Sequence, residues 1–218
     1  MLMSMKAGRS GLLMLALTTA LGGCGNLGVP AERFTFFDLG LVEPVETALE
    51  FPPTRVDVRA PSWLSTGAMQ YRLDYRQPAQ REAYSETRWV AEPAEMLRVA
   101  LDRALTMNGT ANRTANRTAD GECRLRIELD EFVQVFDSEQ SSHATIVARA
   151  ALLAPRSDAE LAHRTLVVSE PTPTPDAAGG VFAFRRAVQR LAHDVSFWLA
   201  SLDPEAAQGL NTSGRCKR

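Results

Sequence analysis

Cysteine is scarce in this chain. The three residues, Cys24, Cys123 and Cys216, have no partner at CxxC spacing, which argues against a zinc knuckle or a dithiol redox site. Histidine is as rare. His143, His163 and His193 fall on separate predicted elements, and none has a His, Cys or acid at ligand spacing, so no metal site is expected. Neither sign of charge dominates: 24 Lys plus Arg stand against 26 Asp plus Glu, a net charge of −2. That balance excludes the basic surface of a nucleic-acid binder and the like-charge block of an acidic or basic tail. A GxSxG elbow, a P-loop and a GxGxxG turn are all missing. No catalytic residue and no cofactor is therefore assigned, and the chain is expected not to be an enzyme. Apolar runs are short too: none nears the roughly twenty residues that a membrane-spanning helix needs.

What is present begins at the N-terminus. Lys6 and Arg9 precede an apolar run of about ten residues, Gly11 to Ala20, which ends in Leu21-Gly22-Gly23-Cys24. Charge, short apolar run and small residues before a cysteine read as a lipoprotein signal peptide over 1–23. Cleavage before Cys24 would leave its thiol to carry a thioether-linked diacylglycerol with palmitate-type acyl chains. Two or three acyl chains, at about 0.8 kcal/mol per buried CH₂, hold a protein on a membrane without a spanning helix. Gly25 stands where an Asp would signal inner-membrane retention, so the expectation leans to the periplasmic face of the outer membrane. Residues 24–33 read as a lipidated tether, 34–203 as one domain and 204–218 as a polar tail. Cys123 and Cys216 could form a disulfide in an oxidising compartment or remain two free thiols.

Within the domain, 34–39, 55–59 and 69–75 read as short strands. Pro93 to Asn108 reads as a helix with Met96, Leu97, Ala100, Leu101, Ala104 and Leu105 on one stripe. The tandem TANRTANRTA over 110–119 reads as a lengthened loop. Three strands follow: one from Cys123 alternating apolar and charged residues with a phase slip near 131–133, one over 143–153 and one over 164–169. The PTPTP run breaks regular structure, Gly179-Gly180 beyond it forms no phosphate cradle, and a helix runs to Leu202 with Phe184, Val188, Leu191, Val195 and Trp198 on one face. The two helices are expected to cover opposite faces of one mixed sheet.

Surface candidates are few. Trp63, Tyr84, Arg88 and Trp89 carry the aromatic and Arg chemistry that dominates interfaces, and are the candidate partner surface; the alternative is that Trp89 caps the core. Arg185, Arg186 and Arg190 make a basic face that either touches anionic headgroups or is merely solvated.

Taken in order, four pieces resemble the ABC-type transport auxiliary lipoproteins, the PqiC/YmbA-like lipoproteins among them. They are the lipobox followed by Phe34-Thr35-Phe36-Phe37-Asp38-Leu39, the segment Arg88-Trp89-x-x-x-Pro93 entering a helix, Glu131-Phe132-x-x-x-Phe136-Asp137 before a hairpin, and the terminal Phe197-Trp198-Leu199. The 110–119 repeat and the Cys-bearing tail depart from that pattern. The resemblance implies a three-layer α/β/α sandwich with a mixed sheet of about five strands. It further implies a partnership with an MCE-domain protein and the permease and ATPase of its ABC transporter, moving lipid or another apolar substrate between two membranes. A lipid-binding carrier and a structural or assembly lipoprotein of the envelope are the competing functions, and a homo-oligomer is left open.

Overall fold

The computed structural model describes residues 33–46, 55–106, 123–155, 157–202 and 216. Cys24, the tether, the 110–119 repeat and most of the polar tail lie outside the described residues.

The longest strands come from the clearest alternation. β5 (Arg124–Phe136), β6 (Ser142–Leu153) and β7 (Glu160–Pro171) form an antiparallel meander joined by short turns. Leu125, Ile127 and Leu129 are buried while Arg124, Arg126, Glu128 and Asp130 between them are not. The register shifts between Leu129 and Glu131, so the expected phase slip is a bulge that hands the buried face on to Phe132.

β2 (Val56–Arg59) and β3 (Ala68–Leu73) share the other edge of β5, both parallel to it: β2 pairs its first half, β3 its last three residues. β4 (Glu82–Trp89) runs antiparallel to β3, and β1 (Thr35–Phe37) runs parallel to β4 at the sheet margin. The sheet is mixed, as expected, but has seven strands, where about five were expected. Six of the seven were read from the sequence, and the strand not read there is β4. Its sequence, EAYSETRW, carries no apolar alternation, and its register with β3 is broken by an irregularity. Its backbone pairing is set by its neighbours rather than by its own pattern.

α1 (Pro93–Thr106) starts with Pro93 at its first position, and α2 (Ala177–Ala200) is capped by Asp176, whose carboxylate accepts the Gly179 N–H at 2.7 Å. The placement of these helices differs from expectation. They touch each other and share one core with the same face of the sheet. The opposite face carries ion pairs: Arg149 with Asp130 and Glu128 at 2.8 and 3.0 Å, Arg126 with Asp158 at 2.9 Å, Glu131 with Arg81 at 2.6 Å. The layering is therefore helices on one side of a sheet. The physical reason lies in β5: a strand covered on both faces reads as a continuous apolar run, whereas strict alternation with charge marks a sheet with one wet face.

The core centres on three rings. Phe132 stacks on Phe184 of α2 with centroids 4.2 Å apart, and Trp89 meets both edge-on at 5.7 and 5.5 Å. Leu97, Leu101, Leu191 and Val195 are fully buried around them.

Candidate binding surfaces

The segment after β1 runs as a strap along α1 and onto the middle of α2. Leu39, Val42 and Val45, three apart, turn inward and are buried. Backbone and side chain then lock the strap down: the Val45 N–H donates to the Ala104 carbonyl of α1 at 3.2 Å, the Glu43 N–H donates to Gln189 Oε1 of α2 at 2.8 Å, and Gln189 Nε2 donates back to the Glu43 carbonyl. Gly40 makes the bend, with φ of 66°, and its N–H donates to Asp38 Oδ1 at 2.7 Å. A side chain there would be strained, and its Cβ would also lie 2.7 Å from the guanidinium of Arg185.

Between strap and α1 lies an open groove of about 450 Å³. Leu39, Val42, Met96 and Ala100 form its floor, and Leu41 and Val99 stand at its edges, exposed by 74% and 52%. Glu95, Val99 and Arg103 follow one another along α1 at four-residue spacing, so the groove has an acid at one end and a base at the other. Glu95 accepts two bonds from Arg98, at 2.8 and 2.7 Å, which lower its pKa. Arg103 has no ion pair among the described residues. Sequence reasoning assigned the α1 stripe to core and did not find this groove: Leu41 reaches it only because the strap folds back over α1.

The four candidate interface residues separate. Trp63, in a 3-10 turn at Ser62–Leu64, is 55% exposed. Arg88 is half-buried; its guanidinium donates to the Tyr84 and Thr87 carbonyls and stands 4.3 Å from the Phe34 ring centroid. Tyr84 is half-buried with its hydroxyl turned inward, and Trp89 is a core ring at 2% exposure. Trp63 and Arg88 thus offer surface, and Trp89 does not. The basic face on α2 is divided as well: Arg186 pairs with Glu170 at 2.8 Å, Arg190 with Asp194 at 3.3 Å, and Arg185 packs over Gly40.

Where β3, β4, β5 and the start of α2 meet, a polar network is buried that sequence reasoning missed. Gln134 is wholly buried; its Oε1 accepts from the Tyr84 hydroxyl at 3.0 Å, and its Nε2 donates to Ser142 Oγ at 2.9 Å and to the Asp176 carbonyl at 3.1 Å. Gly180 makes the approach possible, since a Cβ there would lie 2.1 Å from Gln134 Oε1. The three bonds of Gln134 join β5 to β4, to β6 and to the start of α2, and burial holds the Tyr84 hydroxyl protonated well above the usual tyrosine range.

The histidines keep local partners: His143 with Asp137 at 3.0 Å, His163 with Glu160 at 2.7 Å, His193 with Gln189 at 3.2 Å. Among the described residues no three His, Cys or acid side chains gather around one point, and no helix is long and apolar enough to cross a membrane. Cys123, at the start of β5, is disulfide-bonded to Cys216 with their Cα atoms 4.9 Å apart.

Comparison with known proteins gives a family and a fold. A family model described as "ABC-type transport auxiliary lipoprotein component" matches residues 56–196. A crystal structure of a protein from Xanthomonas campestris, described under the family model DUF330, is similar at 21% identity and TM-score 0.64, covering 76% of this chain and 94% of that one. A second crystal structure, of an uncharacterized protein, is similar at 11% identity and TM-score 0.57, covering 77% and 99%. At these identities the likeness concerns the fold alone. No curated protein matches the chain.

Proposed function

This chain belongs to the family of ABC-type transport auxiliary lipoprotein components, and we propose that it is the non-enzymatic accessory of an ABC transporter that works through an MCE-domain protein on lipid or another apolar substrate. The family match across β2 to α2 carries the reading. In it, ATP is hydrolysed by a separate subunit beside the permease, and this chain holds position and contact. The lipobox ending at Cys24 supports attachment by acyl chains, and Gly25 after it favours the periplasmic face of the outer membrane.

The contact surface in this reading uses the exposed Trp63 and the half-buried Arg88. Between Phe34 and Asp203 the sequence has no lysine, so amine-directed crosslinkers do not serve. A photo-crosslinking amino acid at position 63 or 88 of the full chain, in native membranes, tests the reading. Capture of an MCE-domain protein is the expected result. An alanine at a residue that anchors the complex should weaken it by about 2 kcal/mol, roughly thirtyfold, with thermal stability unchanged. Capture of envelope scaffold proteins alone would replace the transport reading with a structural one. Cys24→Ala should leave the chain uncleaved or move it to the soluble periplasmic fraction; a cleaved variant still sedimenting with membranes would end the lipoprotein reading.

The groove beside α1 favours a second reading, in which the chain itself carries the apolar substrate. Lipid retained through purification in stoichiometric amount would support it.

A further inference from the structure

We propose that the groove between the 38–42 strap and α1 is a binding site for the acyl chain of an anionic amphiphile, with Arg103 meeting the headgroup. This rests on the reading of the chain as an accessory to the transport of an apolar substrate, and it names where on the chain that substrate is held.

Four observations carry it. The first is the clustering of exposed apolar side chains. Of the nine large hydrophobic residues exposed among the described residues, Leu41, Val90 and Val99 line this one groove. Single exposed apolar residues are ordinary, but three around one concavity mark a binding surface. The second is size: about 450 Å³ falls within the range of small-molecule sites. The third is chemistry. The floor is aliphatic, and no aromatic ring lines the groove. Protein partners are anchored by Trp, Tyr and Arg in fitted pockets, whereas a hydrocarbon chain has no donor or acceptor to satisfy and needs only aliphatic wall. The fourth is charge. Glu95 is neutralised by its two bonds from Arg98, and Asp38 is turned back onto the Gly40 N–H. Arg103, about 12 Å further along α1 at 1.5 Å per residue, has no ion pair among the described residues. Arg103 is the one cation among the residues that line the groove, complementary to a phosphate or carboxylate.

The strap also makes the site ready-formed. Its bonds to Ala104 and Gln189 tie it to both helices, so the two walls keep their spacing without a ligand. A pre-organised wall removes the ordering cost that weakens binding at mobile sites.

The test uses the full lipidated chain in detergent and two probes, the anionic lysophosphatidylglycerol and the uncharged monoacylglycerol, each with a diazirine in mid-chain. Mass spectrometry of the photo-adducts should place the label on peptides containing the strap and α1. Val99→Glu sets a carboxylate in the trough, within i,i+4 reach of Arg103, and should cut labelling by about tenfold or more for both probes. Leu41→Asp, at a still more exposed position, should do the same, and unchanged melting of either variant shows that folding is not the cause. Arg103→Glu should weaken the anionic probe by roughly tenfold while leaving the other nearly unchanged. Label spread over the surface, or indifference to Val99→Glu, overturns the site; equal loss of both probes in Arg103→Glu overturns the headgroup contact. Capture of a polypeptide rather than a lipid by a crosslinker at position 41 also overturns it. Crosslinking from position 63 or 88 in the Val99→Glu chain keeps the two readings apart, because the partner contact survives there even if the groove holds nothing.

Discussion

Tyr84 and Gln134 are fifty residues apart in sequence and share a hydrogen bond of 3.0 Å beneath the first turn of α2. Gln134 has no exposed surface, and each of its polar atoms has a partner: a phenol from β4, a hydroxyl from β6 and a carbonyl from the cap of α2. One buried amide thus joins three strands and a helix.

Removing that amide should cost more than the bonds it makes. Gln134→Ala leaves the Tyr84 hydroxyl turned inward without its partner, worth about 1–3 kcal/mol, while the Asp176 carbonyl keeps the Gly180 N–H. The melting temperature should fall by about 2–4 °C per kcal/mol for a chain of this size. Thermal unfolding followed by circular dichroism measures it, and an unchanged midpoint would mean that water reaches the site.

Tyr84 gives a pH dependence with a defined sign. Burial first, then the neighbouring Tyr71 and Asp176, raise its pKa above 10.0. The folded state favours the neutral phenol, so the contribution is fully present below pH 10 and is lost as pH rises through the folded value. Tyr71 is raised too, by its hydrogen bond to Glu82. Wild-type stability should therefore decline above about pH 9–10, and Tyr84→Phe should reduce that slope without abolishing it. At neutral pH the same variant should be less stable by about 1 kcal/mol, because Gln134 Oε1 loses its donor. Urea titrations at several pH values separate the two effects.

The bond between Cys123 and Cys216 closes a loop with a sequence separation of 93 residues. In the chain-entropy account a loop of that length is worth about 4–5 kcal/mol through restriction of the unfolded chain. Cys216→Ser, or reduction, should lower stability by an amount of that order. Equal midpoints with and without reductant would show that the two thiols are free in the native protein.

Leu191 and Val195 lie on the buried face of α2 with no exposed surface. Leu191→Ala should cost about 2–5 kcal/mol and Val195→Ala somewhat less, as transfer energy plus cavity. Denaturant midpoints check this, and neutral results at both would place the core on another face of α2.

Much of this fold was legible locally. Apolar spacing marks α1 and α2 to within a few residues, and alternation marks β5, β6 and β7, down to the slip near Glu131. Such patterns are readable because each reports one element's own contact with apolar surroundings. Strand β4 has no such pattern: Glu82 to Trp89 is placed by backbone bonds to β1 and β3, which act on any side chain alike.

By itself, the sequence determined the helices, the meander, the export and lipidation expectation at Cys24, and the family likeness, all of which rest on short-range order along the chain. Only the tertiary structure decided that both helices lie on one face, that Trp89 is core while Trp63 is surface, and that Gln134 is buried in a network. It also decided that Leu41, Val90 and Val99 border one groove with Arg103 at its end. The physical reason is the same throughout. Burial and pairing of these residues depend on groups thirty to a hundred or more positions away, and a strap anchored on Gln189 carries no mark of that contact in the residues beside it.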